Sequence, residues 1–173
     1  MTTFTLKPYF NLSQSRWLLL SFFILILDQL IKYSASHSLV LYQPRPLMPY
    51  LSLTLAHNTG AAFSVLAHTG HGGVWFLIAF AATMSLFLGA WLLHLSKQQY
   101  WLSAAIALVL GGALGNLLDR ILYGYVVDFI DVYYGSWHWP AFNFADSAIS
   151  IGIIMLILAS INTSGRATPV SRK

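Results

Sequence analysis

Five carboxylates are all the acid this chain has, and four of them, Asp119, Asp128, Asp131 and Asp146, fall within residues 115–147. The fifth is Asp28, and there is no Glu. The acidic stretch lies between apolar segments, in a chain of 173 residues that is 57% hydrophobic and only 8% charged. Carboxylates beside lipid cost several kcal/mol unless paired or hydrated, so acids in such a setting are candidates for chemistry. Asn116 and Asp119 are three residues apart and share a helix face, with Arg120 beside them. Asp128 follows a loop containing Gly124, and Asp146 opens the next apolar segment just after Pro140 and Asn143. Because Asp128 and Asp146 flank a turn joining two antiparallel spans, they can converge. Two carboxylates at short range cannot both ionise, so one pKa rises and the pair shares a proton. The ionised member of such a pair takes a proton from water while the other polarises a carbonyl, which is the chemistry of hydrolysis. Paired acids serve proton-coupled transport equally well, and an ion-pair network of purely structural purpose uses the same residues. The residue types alone leave all three open.

The composition is that of a polytopic membrane protein rather than a soluble domain. Nine Lys and Arg give a formal charge of +4, but they are scattered at the ends of apolar runs. That pattern is a topology signal and not a phosphate-binding surface, so no nucleic-acid partner is expected. The absence of cysteine excludes disulfides, thiol nucleophiles and thiolate metal sites. The six histidines lack metal-ligand spacing, and neither a metal nor a cofactor is expected.

The sequence predicts an all-α membrane protein, a single domain over 1–173, with four transmembrane helices over about 17–35, 74–95, 100–119 and 145–161. Periplasmic segments are expected over about 37–73 and 120–144. The first apolar run resembles a signal peptide, yet Asp28 and Lys32 sit one helical turn apart in the order that favours an ion pair, and it is read as a retained helix. Between helices 1 and 2, residues 51–55 alternate apolar and polar, break at Asn58-Thr59-Gly60 and resume over 61–66. This predicts a small extracytoplasmic β-hairpin or sheet at the membrane surface, since its edges would be unsatisfied in lipid. Gly111 and Gly115 make a G-x-x-x-G step that lets another helix approach. Lys and Arg asymmetry puts both termini in the cytoplasm and the acidic stretch on the outer face.

Five strings in order, Asp28-Gln29-Leu30-Ile31-Lys32, Asn58-Thr59-Gly60-Ala61-Ala62-Phe63-Ser64, residues 111–120, Val126-Val127-Asp128-Phe129-Ile130-Asp131 and Phe142-Asn143-Phe144-Ala145-Asp146-Ser147, resemble the sequence blocks of the bacterial lipoprotein signal peptidase family, signal peptidase II. The resemblance implies a four-helix inner-membrane aspartyl peptidase with its active site at the periplasmic face. Such an enzyme removes signal peptides from prolipoproteins by cutting before the diacylglyceryl-modified cysteine. Its partners are then prolipoproteins and membrane lipids, and a monomer is expected. Asp128 and Asp146 match the catalytic pair. Asn58, Asn116, Arg120 and Asn143, with Gly60 in the same block as Asn58, match polar positions that bind substrate or orient the pair. Asp28, Lys32 and Asp119 match positions that support the site. Each also has a plainer role open to it: Asp119 to orient Arg120 or a loop amide, Asp131 as a solvated loop acid, Asn143 as a helix cap. A first-turn position in the fourth helix favours an ionised carboxylate; Asp146 is therefore expected to be the resting base and Asp128 to carry the shared proton.

Overall fold

Small residues decide how the helices of this computed structural model, which describes residues 12–60 and 71–164, come together. Helix α1 spans Arg16–Ser38, α2 His71–His94, α3 Tyr100–Tyr123 and α4 Phe144–Ser164. A Cβ added at Gly111 of α3 would lie 2.7 Å from Ser21 O of α1, and one added at Gly112 would lie 2.5 Å from Ala145 O of α4. Adjacent glycines thus let α3 take α1 on one side and α4 on the other. Gly152 repeats the device from α4, where a Cβ would lie 2.7 Å from Ala105 O. Gly115, one turn after Gly111, makes room for the Asp28 carboxylate rather than for backbone. Ser21 Oγ donates to Ala107 O at 2.9 Å across the α1–α3 contact. Helix α2 closes on α3 through Leu88 and Leu92, with Leu95 just past its end, packed against Ile106, Ala107 and Leu110.

The outward faces carry exposed Leu19, Phe22, Phe80, Leu86 and Ile154, as helices do when their solvent is lipid. Among the described residues, four helices are long and apolar enough to cross a membrane.

The remaining strands form one antiparallel sheet in the order β1-β2-β3-β4, with β1 at Arg45–Met48, β2 at Leu51–Asn58, β3 at Val126–Tyr134 and β4 at Trp137–His138. The sheet differs from the expected hairpin. Strand β2 continues to Asn58 and pairs with β1 through Arg45↔Leu53 and with β3 through Leu51↔Val132 and Asn58↔Val126. The periplasmic segment after α3, for which no strand was expected, supplies β3 as the second partner of β2. The expected second strand over 61–66 lies outside the described residues. Tyr50, at φ 72°, turns β1 into β2, and its ring stacks on Tyr134 at 5.6 Å.

Two helix ends aim the sheet at the bundle. Gly124, left-handed at φ 78°, ends α3 with its N–H on Arg120 O, so the chain reverses at once into β3. At the start of α4, Asp146 N donates to Asn143 Oδ1 at 2.9 Å and Asn143 N donates to Asp146 Oδ2 at 3.1 Å. This is a reciprocal capping box with Asn143 as the cap.

Candidate active site

Beneath the sheet, α1 and α3 bury a charged triad. Lys32 Nζ lies 2.8 Å from Asp28 Oδ2 and 2.8 Å from Asp119 Oδ2, with all three side chains at most 3% exposed. The i, i+4 pair expected within α1 is present, and it is joined by an acid from α3. The other acceptor sites of the triad are also used. Asp28 Oδ1 accepts from Ala145 N at 2.9 Å, Asp119 Oδ2 from Val127 N at 3.1 Å, and Asp119 Oδ1 from Gln29 Nε2 at 2.8 Å. The triad thereby fixes the start of α4 and the start of β3, the two elements that carry Asp146 and Asp128. Asp119 thus holds a backbone amide of strand β3 rather than a loop amide.

Lys32 also donates to Asn116 Oδ1 at 2.8 Å. The amide of Asn116 is thereby oriented so that its Nδ2 donates to Asp146 Oδ1 at 2.8 Å. Asn143, fully buried, bonds to both acids. Its Nδ2 donates to Asp128 Oδ1 at 2.8 Å and to Asn116 Oδ1 at 3.1 Å, while its backbone N–H serves Asp146. Asn58 Nδ2 occupies the other oxygen of Asp128 at 3.0 Å. Asn58 Oδ1 in turn accepts from Gly60 N at 3.0 Å, and Gly60 O accepts from Arg120 Nη2 at 2.9 Å. The ten residues matched to catalytic, substrate-binding or supporting positions therefore lie in one connected polar network. Asn143 is a cap and a carboxylate ligand at once.

Asp128 and Asp146 line a cavity of about 870 Å3. Asn58, Asn116 and Arg120 contribute to its polar lining, and Trp139, Phe142 and Ile151 to its apolar lining. Among the described residues, no group of three or more His, Cys, Asp or Glu is placed to hold a metal ion. Sequence reasoning missed Gln29, although a second polar residue beside Asp28 in an apolar run was a visible signal.

Burial, and then the charge of Asp146, push the Asp128 carboxyl up to about 7. This has a consequence for stability. An unfolded Asp releases its proton near 3.8, so between that pH and about 7 the folded protein binds more protons, and stability falls as pH rises. Asp128→Asn is therefore expected to raise Tm relative to the parent more at pH 8 than at pH 5. The gap should widen by up to about 3 kcal/mol, because about two units separate pH 5 from the folded pKa at about 1.4 kcal/mol each. Thermal scans at the two pH values check this; a gap independent of pH would show that Asp128 ionises normally.

An apolar four-helix bundle with a buried carboxylate site at one end defines a membrane-protein class rather than a soluble hydrolase. The description of signal peptidase II matches residues 20–162 of this chain. The chain is 49% identical over 150 residues to the lipoprotein signal peptidase of Teredinibacter turnerae, covering 87% of this chain and 89% of that one. It is 51% identical over 142 residues to that of Acinetobacter baumannii, with 82% and 81% covered. A solved structure described as a bacterial membrane enzyme, obtained by the in meso method at 2.3 Å, superposes with a TM-score of 0.80 at 30% identity, over 92% of this chain and 95% of that one. The chain belongs to the signal peptidase II family. Membership decides among the three chemistries that the acids left open, in favour of a peptidase.

Proposed function

We propose that this chain is an aspartic endopeptidase of the bacterial inner membrane that removes signal peptides from prolipoproteins, cutting before a diacylglyceryl-modified cysteine. The observation that carries the reading is the convergence of Asp128 and Asp146 on Asn143 at the wall of a mostly apolar cavity with polar residues among its lining. Four carboxylates, Asp28, Asp119, Asp128 and Asp146, face only two cations, Lys32 and Arg120, in this network. A proton held by the pair reduces that imbalance. Asp128 is the more buried of the two and carries this proton, and Asp146 is the resting base.

In the reaction Asp146 takes a proton from water as the water oxygen bonds to the scissile carbonyl carbon, and Asp128 gives its proton to the carbonyl oxygen. Asp146 then passes its proton to the amide nitrogen. The C–N bond breaks, and Asp128 recovers a proton from the gem-diol as the new carboxyl forms. Arg120 and Asn58, which already hold the Gly60 peptide unit, are placed to hold substrate main chain. The helices span the membrane as a single domain with both termini cytoplasmic. The sheet and the cavity lie at the periplasmic surface, where the lipid chains of the substrate stay in the bilayer while its peptide reaches water. The active unit is a monomer in this reading.

The test is cleavage by the purified protein in detergent of one prolipoprotein with and without its diacylglyceryl group, in 18O-water. The expected result is a single cut before the modified cysteine, with one 18O in the new carboxyl of the signal peptide. Hydroxylamine should yield no hydroxamate, because no acyl-enzyme forms. An intact lipidated substrate, or a hydroxamate product, would overturn the proposal.

A further inference from the structure

Asp131 takes no part in the network just described. Side chains alternate along β3, so Asp131 projects to the face opposite Asp128. It was expected to be a solvated loop acid, but it is only 5% exposed. Its Oδ2 accepts from Ser52 Oγ at 3.0 Å and Thr54 Oγ1 at 2.9 Å, and its Oδ1 meets His138 Nδ1 at 2.8 Å. Burial works to raise this carboxyl, but the hydrogen bonds from His138, Thr54 and Ser52 outweigh it and hold it below its usual value. Buried ionic groups are a weak means of stabilising a fold. What this one holds in place is therefore the question.

It holds β4, a strand of two residues. His138 is half exposed and its ring stacks on Tyr133 at 5.4 Å. Directly after it the chain returns along β3, with Trp139 N on Val132 O at 2.8 Å and Phe142 N on Ile130 O at 3.1 Å. Residues 139–142 form the wall of the cavity that continues into Asn143. At one end this wall is anchored through the capping box of α4. At the other end one side-chain anchor is the bond from His138 to Asp131.

We propose that Asp131 and His138 are positioning residues for substrate binding: the pair pins the wall formed by residues 139–142 against β3, and that wall receives the apolar part of a lipidated peptide. The inference rests on the peptidase reading above. Asp128 and Asp146 keep their own anchors in Asn58, Asn116 and the α4 cap. Cutting the pin therefore loosens binding and spares the chemical step.

The experiment compares KM and kcat for cleavage of one lipidated prolipoprotein by the parent, His138→Ala and His138→Asn. His138→Ala should raise KM about fivefold with kcat within twofold of the parent, the size expected for losing a partly exposed bond to a charged group. His138→Asn should restore KM, since its Nδ2 can stand where Nδ1 stood. An unchanged KM in His138→Ala, a kcat that falls as far as kcat/KM, or no rescue by Asn would each overturn the proposal. Failure of the peptidase reading is distinguishable, because the parent would then leave this substrate uncut.

Discussion

Asn in place of Asp146 or Asp128 is expected to lower kcat/KM on a lipidated prolipoprotein by at least about 10³-fold, within the range that general acid–base groups supply. The expectation follows from what each amide keeps. At position 146 the Asn side chain still offers one oxygen to Asn116 Nδ2 or to the Asn143 backbone N–H, so the helix cap is weakened but not lost. At position 128 it still offers one oxygen to Asn58 or Asn143. Neither amide takes a proton from water near neutral pH. The folds should therefore persist while the reaction stops, and Tm read beside activity separates the two. The double variant should be no slower than the worse single one, because the acids act as a unit and such effects do not add. A single variant that folds and cuts within tenfold of the parent would remove that residue from the chemistry.

The second large effect is on stability. Lys32→Met leaves Asp28 and Asp119 buried with no cation between them, and breaking a buried ion network from one side costs about 3–5 kcal/mol. For a chain of this size that corresponds to a Tm lowered on the order of 10 °C. Activity should fall as well, because Asn116 Oδ1 loses the ammonium that orients its amide toward Asp146. Changing both acids to Asn in the same chain should recover much of the Tm. Each Asn keeps an oxygen for its backbone donor, Ala145 N or Val127 N, and the uncompensated charge is gone. A Lys32→Met protein with unchanged Tm would show that the ammonium does not hold the two acids in the fold.

Much of this was readable along the chain. The i, i+4 spacing of Asp28 and Lys32 specified their pair, and the helical runs set the number of spans. Gly111 and Gly115 marked the face that α1 approaches. What was not readable depends on register between distant segments. Val126–Tyr134 is rich in β-branched and aromatic residues, as strands are, but its acids and its place beside a helix disguised it. Its partner Asn58 lies 68 positions earlier at the register pair Asn58↔Val126. Asp131 looked solvated because its donors, Ser52 and Thr54, come from that same distant strand. Lys32 meets Asp119 only after α1 and α3 have packed. The double duty of Asn143 combines a cap signal with the return of the chain past β3 to Asp128, 15 residues earlier, which the cap spacing alone does not reveal.

The division of the carboxylate pair between β3 and the first turn of α4 also bears on synthesis. A ribosome making this chain delivers Asp28, Lys32, Asn58, Asn116, Asp119, Arg120 and Asp128 before Asn143 and Asp146. Until α4 has been made and seated where Ala145 meets Gly112, Asp128 has no Asn143 and no partner acid. Under the mechanism proposed above, the nascent chain is inert as a peptidase until that point. On that mechanism, the seating of α4 against Gly112 completes the catalytic pair.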